Sequence, residues 1–335
     1  MIESFNSDQL AAWLPQDAIT EPVITKHQKL VYFTDSYVYQ ADGSLHSALT
    51  MDRSGEDYIQ KSSQDVVSNL NLDSDQHIFA IAANRWANNY YHWVSQGMAS
   101  WAVLIDHHKR TKASQRLILL APAIFKNFHF QWLGILGGDH LTLPRKYSVT
   151  TGVCLTTSSS HSNPSRTSIQ RLRQLTSTSL NAWLRNSEKT ILEGLPTELQ
   201  KIYISRGSSG ARAIGNEGAL EDHMKRLGFT IISAENYTVL QQIYIFSKAR
   251  VIVAFHGAGL TNLIFSDPAC HVIELVIRDK HNDCFKRLSA LLPTRRYSKL
   301  LVEPRAITST SASVLEADLR SIAQSLEPLL EESLA

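Results

Sequence analysis

The sequence predicts an α/β protein built on parallel sheets, and three observations carry that prediction. From residue 201 onward, short apolar runs rich in β-branched residues alternate with amphipathic helical segments. Glycine-rich turns stand where such a run ends and a helix begins. The 335 residues are 43% hydrophobic, enough for two cores of roughly 150 residues each. Both halves are compatible with Rossmann-like units.

In the first half, residues 23–25 and 30–33 read as strands. Residues 37–40 and 44–49 flank Ala41, Asp42 and Gly43, and Asp-Gly between β-rich arms is a hairpin signal. Residues 77–83 form a buried strand. Asn88 and Asn89 then offer a helix N-cap, and 90–105 reads as a helix. Residues 116–120 are the next strand, ended by Ala121 and Pro122. A helical segment runs to 136 and stops at Gly137 and Gly138. Residues 147–155 make one further strand. The Ser/Thr-rich stretch 156–164 reads as a linker or mobile loop, 167–188 as a polar-faced helix, and Gly194, Leu195 and Pro196 as punctuation.

The second half alternates regularly. Strands are expected at 201–205, 229–233, 251–254, 271–277 and 297–302. Helices are expected at 216–227, 239–248, 257–264, 282–291 and from 313 onward. The expected organisation is an N-terminal α/β domain with a β-hairpin (1–160), a linker and helix (161–196), a C-terminal Rossmann-like domain (197–310) and a terminal helix (311–335).

Composition excludes several classes. Lys+Arg is 33 against Asp+Glu at 31, a net charge of +2, so there is no long-range field favouring nucleic acid. Cys154, Cys270 and Cys284 are odd in number and scattered, which argues against a disulfide framework or a CxxC zinc site. The first ten residues lack a basic region followed by an apolar core, and no apolar run is long enough for a transmembrane segment. The expected compartment is cytoplasmic; peripheral membrane association through a partner or a lipid-linked acceptor stays compatible with the sequence.

Four segments carry candidate chemistry. His256, Gly257, Ala258, Gly259, Leu260, Thr261 and Asn262 follow an apolar strand and open a helix. Glycines there let backbone N–H groups approach an anion such as a diphosphate; an ordinary tight turn is the plainer alternative. Ser205 and Arg206 end another strand, with Arg212 a few residues on. Arginine's planar fork suits phosphate, although a solvated loop would look alike. Asn216 beyond it reads as a helix N-cap. Glu274 lies within an apolar strand, where a carboxylate needs a partner: a ribose diol or an arginine would serve. Asn89, Tyr90, Tyr91, His92 and Trp93 open a helix in the first half. There His92 is either a core histidine or a general base.

Two enzyme classes are disfavoured. No G-x-S-x-G follows the HGAG segment, as a lipase-type hydrolase requires. The third glycine of a dinucleotide-binding G-x-G-x-x-G is missing.

Taken in order, these segments resemble the family 61 glycosyltransferases, a group that includes bacterial capsular-polysaccharide biosynthesis proteins. The resemblance is strongest from Lys201 to Val276 and includes the Asn89 to Trp93 segment. It implies a GT-B architecture, two Rossmann-like domains facing a cleft, with a nucleotide-sugar donor bound mainly to the C-terminal domain. It also implies inversion at the anomeric carbon and no obligatory metal; the resemblance does not carry over the acceptor, for which a glycan or lipid-linked molecule is expected, with no cofactor. In that picture Ser205, Arg206 and Arg212 hold the diphosphate, and the His256 to Asn262 loop adds backbone donors. Glu274 takes the ribose. His92, ahead of His256, is the expected base, with Asn89 and Tyr91 on the acceptor side, and the terminal helix crosses back to the first domain. A non-catalytic nucleotide-sugar or glycan-binding protein on the same scaffold is the alternative.

Overall fold

A computed structural model describes residues 2–33, 38–40, 42–46, 68–72, 75–82, 84, 86–121, 126–142, 147–158, 163–206, 214–277, 282–292, 296–306 and 315–334. The chain divides into two compact units, Gln16–Ala182 and a second made of Met1–Pro15 with Trp183–Ala335. Strand β1 (Ile2–Phe5) belongs to the second of these.

The unit Gln16–Ala182 contains β2 (Ile24–Gln28), β3 (Val31–Phe33), β4 (Val38–Tyr39), β5 (Ser68–Leu72) and β6 (His77–Ile81). It continues with β7 (Arg116–Ala121), β8 (Asp139–Thr142), β9 (Tyr147–Thr151) and β10 (Val153–Thr157). One sheet has the order β2-β10-β6-β7-β8, the other β4-β3-β9-β5. In the first, β10, β6, β7 and β8 are parallel and β2 closes an edge antiparallel. The run expected as one strand over 147–155 breaks at Gly152, and its two parts serve different sheets. Its partner breaks at the same place, because Lys29 takes a left-handed φ of 53°. Lys29 N–H donates to the Gly152 carbonyl at 3.0 Å and Thr151 N–H to the Leu30 carbonyl at 2.9 Å. Tyr32, Phe79, Ile81, Leu120, Val149 and Cys154 fill the core there. The Asp-Gly turn forms as expected: Gly43 has φ 84°, and Tyr39 bridges Leu45.

The second unit is a six-stranded sheet with β11 (Lys201–Ser205), β12 (Thr230–Ser233), β13 (Val251–Phe255), β14 (His271–Ile277) and β15 (Arg296–Val302). Its order is β1-β15-β14-β13-β11-β12, parallel throughout except for β1. Both large sheets are therefore mixed rather than purely parallel, each with one antiparallel strand at an edge. The apolar run of β13 is buried along its whole length, as a central parallel strand demands. After β11 the chain steps to one side for β12 and then to the other for β13, so the strand order reverses between β11 and β13. Ligands of open α/β sheets bind beside the carboxyl ends of strands at such a reversal. The sheet β10-β6-β7-β8 reverses in the same way between β6 and β10.

The terminal helix Leu319–Leu334 starts later than expected, because residues Leu315–Ala317 pair with Pro304–Ala306 as a small antiparallel ladder. Its apolar stripe of Ile322, Leu326, Leu329 and Leu330 packs with Tyr203, Phe255 and Leu300 of its own unit's sheet.

Candidate active site

Arg206 follows β11 and His256 follows β13, so both stand at the reversal point of the six-stranded sheet. The Arg206 guanidinium donates through Nη2 to the His256 carbonyl oxygen. A Cβ built on Gly257 would lie 3.1 Å from Arg206 Nη2 and 3.3 Å from Nε. A side chain there would crowd the guanidinium, whereas the extended backbone of Gly257 would suit any residue. Likewise a Cβ on Gly259 would press to 3.2 Å from Ile204 Cγ2 of β11. Arginine and glycine turn therefore share one face of one sheet edge.

The backbone of Arg206 is itself held. Glu217, in the first turn of the helix Glu217–Arg226, accepts at Oε1 from Arg206 N–H at 3.0 Å and from Tyr203 Oη at 2.9 Å. Burial pushes the Glu217 carboxyl above the usual range. Asn216 stands at the N-cap of this helix, as expected, without a side-chain capping bond. Ser205 is buried and donates its hydroxyl to Glu221 at 2.6 Å, so it supports the strand end. Arg212 lies outside the described residues.

His256 is oriented from below. Its Nδ1 pairs with Glu274 Oε1, while Glu274 Oε2 accepts from Tyr297 Oη. Glu274 is wholly buried and both of its oxygens are engaged by protein. Its protein partners are thus a histidine and a tyrosine, where the apolar strand suggested a ribose diol or an arginine. Phe285 packs edge-on against the imidazole at 5.0 Å. The expected helix after the turn is a 3₁₀ helix, Ala258–Phe265. Leu260, Thr261 and Asn262 are wholly buried in it, unlike the turn that precedes them. Thr261 Oγ1 donates to the Ala258 carbonyl at 2.7 Å, and Asn262 Nδ2 to Gln242 Oε1 at 2.7 Å. The part of the loop reaching the surface is His256, Gly257, Ala258 and Gly259.

A second cluster forms in the unit Gln16–Ala182, after the carboxyl end of β6. Residues expected to begin an α-helix instead wind as a π-helical stretch, His92–Met98, continuing as the α-helix Ala99–Thr111. Long π-helical windings are rare and concentrate at functional sites. Asn89 does act at the helix start, its Oδ1 accepting from Tyr91 N–H at 2.9 Å, while Tyr91 itself is buried. His92 is half-buried, and its Nδ1 lies 2.7 Å from Gln96 Oε1. Gln96 Oε1 also accepts from Asn84 Nδ2 at 2.8 Å. Trp86, 49% exposed, sets its ring 6.2 Å from that of His92. Burial holds His92 below the ordinary imidazole pKa. Sequence reasoning did not single out Gln96 or Asn84. Gln96 had a usable signal, standing four residues after His92 on a helix; Asn84 had none.

Among the described residues no three His, Cys, Asp or Glu side chains gather as a metal site, and no helix is long and apolar enough to cross a membrane.

Fold and site together define an α/β protein whose candidate site residues stand at strand-order reversals, with a histidine fixed at Nδ1 in each unit. The glycosyltransferase 61 family model matches residues 90–273, more than half of the chain, and the chain belongs to that family of glycosyltransferases. The matched span includes His92, Gln96, Arg206, Glu217 and His256 and ends one residue before Glu274. No curated protein matches the chain.

Proposed function

We propose that this glycosyltransferase is an inverting, metal-independent enzyme of the GT-B class, moving a sugar from a nucleoside-diphosphate sugar to a glycan or other hydroxyl acceptor in surface polysaccharide biosynthesis. The observation that supports it most is the meeting of Arg206, the Gly257 to Gly259 turn and an oriented His256 at the β11/β13 reversal. A guanidinium, a ring nitrogen and backbone N–H groups on one sheet edge suit a diphosphate.

The step is a single displacement. The acceptor oxygen forms a bond to the anomeric carbon as the bond from that carbon to the diphosphate oxygen breaks. The acceptor proton passes to a base, for which His92 is the candidate, and the leaving charge falls on the diphosphate. Inversion follows from attack opposite the leaving group. Arg206 and the amides of Ala258 and Gly259 would carry the leaving charge, with Arg212 a second candidate. Glu274 would act through His256, holding its ring so that Nε2 meets a phosphate oxygen. The exposed Trp86 ring beside His92 suits the apolar face of a sugar ring, which favours a glycan acceptor.

One preorganised donor at a developing charge contributes roughly 3 kcal/mol to the barrier. Arg206→Ala should therefore lower turnover by about a hundredfold or more while the protein stays folded. Steady-state transfer assays beside thermal unfolding test this. Near-normal turnover would remove Arg206 from the site. Donor binding without transfer or hydrolysis in the unaltered protein would favour the non-catalytic binding protein.

A further inference from the structure

We infer that Asn84 and Gln96 set the tautomer of His92, placing the proton of the neutral ring on Nδ1 and the basic lone pair on Nε2. The inference rests on the reading of His92 as the base and names the residues that position it.

One group in this network has a fixed polarity. The backbone N–H of Trp86 can only donate, and it meets the Asn84 side chain at 2.9 Å, so the atom it meets is Oδ1. The other end of that amide is then Nδ2, a donor, and it meets Gln96 at 2.8 Å. The Gln96 atom is accordingly Oε1. His92 Nδ1 lies 2.7 Å from that same Oε1. An acceptor can be met only by a donor, so Nδ1 carries the proton. The two lone pairs of Oε1 serve the two donors, one each. Asn84 is 2% exposed and Gln96 3%, so solvent has little access with which to compete for these bonds.

The arrangement opposes the intrinsic preference of the side chain, because a free neutral histidine favours the proton on Nε2. The protein reverses that preference with neutral amides, which leave the ring uncharged. Which nitrogen is protonated follows from the bond made by the other. In the described residues Nε2 of His92 has no hydrogen-bond partner and is left for a substrate proton. Asn84 and Gln96 touch no reacting atom in this scheme. They are positioning residues, joining the end of β6 to the π-helical stretch and fixing which face of the imidazole is basic.

The test is a ¹⁵N spectrum of the histidine-labelled full chain near neutral pH, beside kinetics of Gln96→Met and Gln96→Glu. The His92 signal, assigned by its loss in His92→Ala, should show the Nδ1–H tautomer. In Gln96→Met it should move toward Nε2–H, and kcat at saturating donor should fall by about a hundredfold, the usual scale of general-base catalysis, with donor KM unchanged. Gln96→Glu keeps an acceptor and should restore both the Nδ1–H signature and most of the rate. An Nε2–H tautomer in the unaltered protein overturns the inference, with no variant needing to fold. So does Gln96→Met with unchanged tautomer or unchanged kcat. Full activity in His92→Ala would instead remove the base assignment, whatever the tautomer proves to be.

Discussion

Each unit presents a candidate site histidine held at Nδ1, but the holders differ. His256 is backed by a buried carboxylate, Glu274, and His92 by the amide of Gln96. Burial disfavours the charged imidazolium, and the hydrogen bond to the Gln96 amide offsets only part of that, so His92 loses its proton below the ordinary value of 6.5. A base works only when unprotonated. The transfer rate at saturating donor should therefore stay level down to pH 6.5 and fall below it, with the acid limb centred under that value. A limb centred above 6.5 would exclude His92 as the titrating base. His92, Arg206 and His256 were all legible as residues, since histidine and arginine beside a glycine turn are local signals. The role of Glu274 was not, because its partners stand 18 and 23 residues away along the chain and meet it only across the sheet.

Among the elements, the central strands matched their apolar runs, and β11 and β14 formed with the expected limits. Some departures came where an element's partner lies far off in sequence. Strand β1 is such a case. It pairs antiparallel with β15 over Ile2 to Phe5, and Ser4 Oγ lies 2.9 Å from Ser298 Oγ. Phe5 packs 6.3 Å from Tyr297, the residue that donates to Glu274. Nothing in four residues reveals a partner almost 300 positions later. Removing residues 2–5 should expose the β15 edge as an unpaired template, lowering the unfolding midpoint and promoting self-association. Thermal unfolding with light scattering checks this; an unchanged midpoint and a monodisperse protein would show that β1 contributes nothing to the sheet. The π-helical winding at His92 was equally hidden, since apolar spacing over a few residues does not separate 3.6 residues per turn from a wider coil.

At the scale of the whole molecule, both units place their candidate histidine beyond the carboxyl end of a strand at a reversal of strand order. If the reversal in the six-stranded sheet holds the donor, nucleoside-diphosphate sugars should stabilise the chain by mass action. At a hundred times the dissociation constant the gain is about 2.7 kcal/mol, which raises the melting temperature by several degrees in a domain of this size. Arg206→Ala should abolish most of that shift. A full shift in the variant would place the diphosphate elsewhere. The sequence alone determined the α/β class, the alternating second half, the arginine and glycine turn and the family, because periodicity, turn residues and motif order are local properties of the chain. Tertiary structure decided which edges are antiparallel, that Glu274 serves His256, that Leu260, Thr261 and Asn262 are buried, and that Asn84 holds the Gln96 amide that meets His92. Those outcomes depend on how strands, loops and helices pack against one another, which the local pattern of residue types does not encode.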